Sequence, residues 1–98
     1  MAVVVRMDWP EVTPEQYQQA REQVDWERDV PKGGIFHVAF SDDDGFKIVD
    51  VWESAGDFEA FVESRLRPVV EKLGIESDPK VDIQPALATF NPAALVKA

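Results

Sequence analysis

The alternation of apolar and polar positions divides the chain into six elements. Residues 2–9, Ala-Val-Val-Val-Arg-Met-Asp-Trp, open with a β-branched run that reads as a strand, and Pro10 ends it. A helix start follows, with Thr13 as N-cap, Pro14 at the first helical position and Gln16 completing a capping box. Val12 and Tyr17 have the spacing of a hydrophobic staple, and Tyr17, Ala20 and Val24 form a narrow apolar stripe. This helix should end near Val24–Trp26. After the turn-rich stretch Pro31–Gly34, Ile35–Phe40 reads as a second strand. Asp42-Asp43-Asp44-Gly45 is a hairpin turn, with Asp-Gly suited to positive φ, and Phe46–Trp52 is the antiparallel third strand. Ser54 caps a second helix, whose positions Phe58, Phe61, Val62, Leu66, Val69, Val70 and Leu73 keep helical spacing. Pro68 should kink it or begin a new turn, and Gly74 ends it. A polar loop at 75–80 leads to a fourth strand, Val81–Phe90, in which Pro85 implies an edge or a bulge. Asn91-Pro92 begins a short tail.

The order β-α-β-β-α-β predicts an α+β, ferredoxin-like fold: one four-stranded antiparallel sheet with two helices on one face. Side chains alternate along a strand, so each strand sorts into two sets. Val3, Val5 and Met7, Phe36, Val38 and Phe40, and Val49 and Val51 suit the helix side. That leaves Val4, Arg6 and Asp8, Ile35, His37 and Ala39, and Ile48, Asp50 and Trp52 on the open side, joined by Asp82, Gln84, Ala86 and Ala88. This second set is too apolar for water and too polar for a plain core. It fits a face that meets its copy in a second subunit, or one that lines a cavity with convergent polar groups.

Composition narrows the function. The 98 residues fit a single domain, 1–98, and a chain this short gains from oligomerisation. Its 19 acidic and 10 basic residues give a net charge of −9, which argues against nucleic acid and anionic membrane as partners. There is no cysteine, hence no disulfide and no thiolate chemistry. No apolar run approaches a membrane span, and Met1–Arg6 is too short and wrongly flanked for a signal peptide, so a cytoplasmic protein is expected. The Asp42–Asp44 run lacks calcium-loop spacing, and Lys32-Gly33-Gly34 lacks the rest of a phosphate loop. With one histidine, no cysteine and no carboxylate cluster of the right spacing, no metal site is expected; no cofactor is expected either.

His37, the sole histidine, is the natural general base or acid. Asp50 and Arg6, on neighbouring strands, are candidates to orient it; the pair also fits an interface salt bridge, and Arg6 suits stabilising developing negative charge. Trp52 and Ile48 are candidate substrate contacts, with Phe58 and Phe61 behind them or packing the helix. Trp9 and Trp26 flank the first helix and suit covering its stripe.

The element order, with Val-Asp-Val-Trp-Glu-Ser at 49–54 leading into Asp57-Phe58-Glu59-Ala60-Phe61, resembles the dimeric α/β-barrel superfamily, in its antibiotic biosynthesis monooxygenase-like branch. The resemblance implies a homodimer whose two sheets enclose a barrel, with a pocket between the sheet and the helices of each half. It implies small-molecule chemistry, including oxidation of polycyclic phenols without metal or flavin, or haem degradation. Trp52 matches the pocket-lining Trp of that family. The Asn and Tyr that flank this Trp in the cofactor-free monooxygenases are Ile48 and Phe58 here, and no His stands on the second helix, where Glu71 lies near the haem-ligand position. Two functions follow as expectations. One is a cofactor-independent, monooxygenase-like enzyme acting on an aromatic or polyketide-like substrate. The other is a non-catalytic dimer that binds a hydrophobic metabolite or serves as an accessory subunit.

Overall fold

The computed structural model describes residues 1–90; the tail at Asn91-Pro92 lies outside the described residues. The order of elements is β1 (Val3–Trp9), α1 (Pro14–Val24), β2 (Gly34–Asp42), β3 (Gly45–Trp52), α2 (Ala55–Phe61), a π-helical turn (Val62–Leu66), α3 (Arg67–Lys72) and β4 (Lys80–Pro85). The strands form one antiparallel sheet in the order β2-β3-β1-β4. The architecture is thus the expected α+β, ferredoxin-like one.

Local chemistry explains the boundaries. At α1 the Thr13 hydroxyl accepts from the Gln16 N–H at 3.1 Å, and the Gln16 side chain accepts from the Thr13 N–H at 2.9 Å. These bonds satisfy backbone donors that the first helical turn leaves free. Asp25 ends the helix in the left-handed region, φ 57°. Ser54 caps α2 through the Asp57 N–H at 3.1 Å. The second helix then widens: the Arg67 N–H donates to the Val62 carbonyl, five residues back. Pro68, next in line, has no N–H and carries a ring that crowds the preceding turn, so the helix restarts there as α3. Arg65, in the wide turn, donates to the Val24 carbonyl at 2.7 Å and ties it to the end of α1.

Two strand ends differ from the sequence expectation. β2 runs on to Asp42 rather than ending at Phe40, so the expected turn Asp42–Gly45 has Asp43 and Asp44 at its centre and Asp42 paired to Gly45. The Asp44 N–H donates to the Asp42 carboxylate at 2.9 Å. Gly45, φ +118°, is needed for another reason: a Cβ there would stand 2.7 Å from the Pro10 Cα. β4 stops at Pro85 rather than reaching Phe90, because its partner β1 begins at Val3, opposite Pro85; one further bond, from the Ala86 N–H to the Ala2 carbonyl at 2.9 Å, closes the pairing. Ala86 and Ala88 therefore lie beyond the sheet. β4 is an edge strand, as Pro85 implied.

The larger correction concerns the two faces. The core against the helices is Val5, Met7 and Trp9 of β1 with Phe46, Ile48 and Trp52 of β3, together with Val12, Val24, Phe58 and Phe61. Asp50 lies among them, only 4% exposed. β1 is phased as expected, but β2 and β3 are inverted. The set Ile48, Asp50 and Trp52, assigned to the open side, is buried, while Phe36, Val38 and Phe40, assigned to the core, are 57%, 40% and 44% exposed. Antiparallel register forces this. Val5 stands opposite Asp50 and Asp50 opposite His37, so the three share a face. Alternation fixes which residues go together but not which way the set points.

Candidate functional site

Between the sheet and the helices lies a cavity of about 210 Å³. Its floor includes Met7 and Ile48, and its helical side includes Phe61, Leu66 and Val70. All three tryptophans of the chain, Trp9, Trp26 and Trp52, line it. At the exposed Val30, between α1 and β2, it reaches the surface. Its polar side chains are few: Gln16, Tyr17, His37 and Asp50, with no Lys or Arg among the described lining residues.

Three of these groups and Trp52 form one hydrogen-bonded chain. The Trp52 Nε1–H donates to Asp50 Oδ2 at 3.2 Å. Asp50 Oδ1 lies 2.7 Å from His37 Nδ1. His37 Nε2 lies 2.7 Å from the Tyr17 hydroxyl. The roles follow from the donor inventory. A carboxylate only accepts, so Nδ1 carries the proton of the neutral ring; Nε2 then accepts and Tyr17 donates. Each link has a structural origin. The β2–β3 register sets His37 directly across from Asp50, and Trp52, two residues on, shares the face of Asp50. Tyr17 comes from the apolar stripe of α1. A register shift between Gly34 and Phe36 leaves Ile35 as an extra residue, two positions before His37.

Aromatic rings hold the chain in place. The Trp26 ring centroid is 4.7 Å from that of His37, and the Tyr17 ring lies nearly parallel to the imidazole, 6.0 Å away. Phe46 packs on Tyr17 at 5.1 Å. Burial holds the Tyr17 phenol above its ordinary pKa; the nearby Arg21 charge opposes this and those of Asp50 and Glu27 add to it. Asp50, although buried, has both oxygens engaged, and no buried side-chain nitrogen or oxygen among the described residues lacks a partner.

Of the residues singled out from sequence, His37, Asp50, Trp52, Ile48 and Phe61 meet at this cavity. Phe58 does not line it; its ring packs edge-on behind Trp52 at 5.8 Å. Arg6 is on the other side of the sheet. It stands opposite Val49, is exposed, and is flanked in sequence by the buried Val5 and Met7. It can neither pair with Asp50 nor orient His37. Tyr17 is the residue that sequence reasoning missed. It stood out only as a stripe residue, although a sole tyrosine placed among apolar positions was a signal. Trp9 and Trp26 were assigned to covering α1, and both face the cavity as well. The Trp9 Nε1–H is held by Ser77, at 2.9 Å to its hydroxyl and 3.1 Å to its carbonyl.

No family model and no curated relative matches the chain by sequence. Solved structures do. SnoaB of Streptomyces nogalater, a cofactor-independent oxygenase, is 16% identical, with a TM-score of 0.60 over 90% of this chain and 93% of its own. An antibiotic biosynthesis monooxygenase is 16% identical, with a TM-score of 0.62 over 90% of this chain and 100% of its own. A conserved protein of Methanosarcina mazei Go1 is 14% identical, with a TM-score of 0.61 over 86% and 91%. The fold is therefore that of antibiotic biosynthesis monooxygenase-like proteins, as the sequence resemblance implied. Among the described residues, no helix is long and apolar enough to cross a membrane.

Proposed function

We propose that the chain takes a hydrophobic aromatic molecule into its cavity and removes a proton from it, in the manner of a cofactor-independent monooxygenase. The observation that carries this reading is the chain Tyr17–His37–Asp50–Trp52 on the wall of an otherwise apolar cavity. His37 is the sink for the proton. Asp50 fixes the ring tautomer and stabilises the imidazolium that forms, while Trp52 holds the second oxygen of Asp50. The apolar surroundings strengthen these interactions. The resulting aryloxide is electron-rich enough to react with dioxygen directly. One oxygen atom then becomes a substrate carbonyl and the other leaves as water, with two hydrogens removed from the substrate. Arg6 has no part in this chemistry. The fold shared with SnoaB supports the oxygenase step, and the geometry supports the proton step.

The open face belongs to the same reading. Phe36, Val38 and Phe40 are exposed on it, with Val49 and Val51 on the same face of the neighbouring strand. We propose that this face packs on its copy in a homodimer. The second reading is a non-catalytic dimer that binds a hydrophobic metabolite. It is favoured by Ile48 and Phe58, which are apolar where the resembling oxygenases carry polar groups.

The test is dioxygen uptake across a panel of phenols and enols, with wild type and His37→Ala. The expected result is uptake with at least one member and a loss of about 10²–10⁴-fold in the folded variant. Full activity in His37→Ala would remove the base. Binding without uptake by wild type would select the non-catalytic reading.

A further inference from the structure

Resting on that reading, we infer that Tyr17 is the group that touches the substrate, and that the substrate is an uncharged hydroxyarene of one or two rings. His37 has no ring nitrogen to offer: Nδ1 is taken by Asp50 and Nε2 by Tyr17, each at 2.7 Å. Tyr17 is the member of the chain that retains free capacity. Its one hydrogen goes to Nε2, and its oxygen keeps lone pairs that accept from a substrate hydroxyl. The transfer then runs in two linked moves. The substrate O–H bond breaks as a new Tyr17 O–H forms, and the original Tyr17 O–H breaks as H–Nε2 forms. The substrate leaves the step as an aryloxide, Tyr17 is unchanged, and the imidazolium lies between two negative charges. No electron moves.

The walls limit what enters. No Lys or Arg lines the cavity among the described residues, the Asp50 carboxylate is already within it, and the chain carries a net charge of −9. A carboxylate or phosphate would lose its hydration with no cation to replace it. Size gives a second limit. An apolar cavity of about 150 Å³ holds one benzene, and pockets for drug-sized ligands begin at about 300 Å³. At about 210 Å³ this one lies between them, which suits one ring or two fused rings. Trp9, Trp26 and Trp52 provide flat surfaces for such a molecule.

Calorimetric titration with four probes tests this: 2-naphthol, naphthalene, 2-naphthoate and 2-hydroxyanthracene, on wild type and Tyr17→Phe. For wild type, 2-naphthol should bind about two- to tenfold tighter than naphthalene, the range of one neutral hydrogen bond. Tyr17→Phe should level the two while leaving naphthalene unchanged. The carboxylate and the three-ring probe should bind at least tenfold more weakly than 2-naphthol. A naphthol preference that survives in Tyr17→Phe overturns the contact. Equal binding of 2-naphthoate overturns the charge limit, and equal binding of 2-hydroxyanthracene overturns the size limit. If none of the four binds, the pocket and the proposed function fall together; loss of discrimination alone overturns this inference and spares that one. Should Tyr17→Phe not fold, the nitrogen resonances of His37 in wild type decide. They should shift with 2-naphthol and stay put with naphthalene, and equal shifts count against the contact.

Discussion

Along β3, consecutive residues serve opposite sides of one sheet. Ile48, Asp50 and Trp52 lie against the helices and line the cavity. Val49 and Val51, with Phe36, Val38 and Phe40 of β2, form the side that the helices leave uncovered. Within Phe36–Phe40 and Ile48–Trp52 the uncovered set is wholly apolar, whereas the covered set holds a carboxylate and an imidazole; only farther along the uncovered side do Arg6, Asp8, Lys47 and Asp82 bring charge. A rule that buries the most apolar set would invert them, and does so in the sequence reading. The covered side can tolerate polar groups because each is paired: Asp50 accepts two hydrogen bonds, and His37 is bonded at both nitrogens. On the open side Phe36 and Phe40 stand exposed, and in the proposed homodimer a second copy would cover them.

Paired substitutions break or sharpen this contrast. The largest effect is expected at Trp52, packed on Phe58 and Phe61. Trp52→Ala should lose about 3–5 kcal/mol in urea melts, against less than about 1 kcal/mol for Val51→Ala in the dissociated chain. Comparable losses would mean that the two sides are equally packed. Asp50→Ala comes next. It strands the Nδ1–H of His37 and the Nε1–H of Trp52 together, an expected cost of about 3 kcal/mol. Asp50→Asn keeps one oxygen to accept and should cost less; equal losses would argue that the carboxylate is not the shared acceptor. On the open side, Val38→Asp should turn a dimer into a monomer in sedimentation equilibrium. Its secondary structure should be unchanged and the ligand cavity kept. A dimer that survives would place the interface elsewhere.

The smallest effect is electrostatic. Tyr17 is the only tyrosine in the chain, so absorbance at 295 nm follows it alone. Burial should carry its midpoint above 10.0. The sign for stability follows: the folded chain holds this proton more tightly than the unfolded one. The contribution is therefore full below pH 10 and lost as pH rises through the folded value. A midpoint below 10 would show that the imidazole, rather than burial, governs the phenol.

Much of the fold was legible because its signals are local. The capping box at Thr13 and Gln16, the Ser54 cap, the restart at Pro68 and the stop at Gly74, φ +73°, act within one turn of chain. The pairing of His37 with Asp50 was nearly so, since a short hairpin joins their strands. The phase of that hairpin was not, because it depends on which side the distant helices pack. Arg6 was misplaced for the same reason: it was grouped with His37 and Asp50 by a wrong phase of β2 and β3, not of its own strand. Tyr17 was missed because its contact with His37 crosses from helix to sheet, and no spacing rule spans that gap.

The central claim is that Asp50 and Tyr17 hold the two nitrogens of His37 in fixed roles at the cavity wall. Because His37 is the only histidine, one two-bond ¹H–¹⁵N spectrum of the labelled protein reads it without ambiguity. At a pH where the ring is neutral, the expected spectrum shows the proton on Nδ1 and Nε2 as acceptor, converting in Asp50→Asn to a mixture of tautomers. A ring protonated at Nε2, or one indifferent to Asp50→Asn, would contradict the claim.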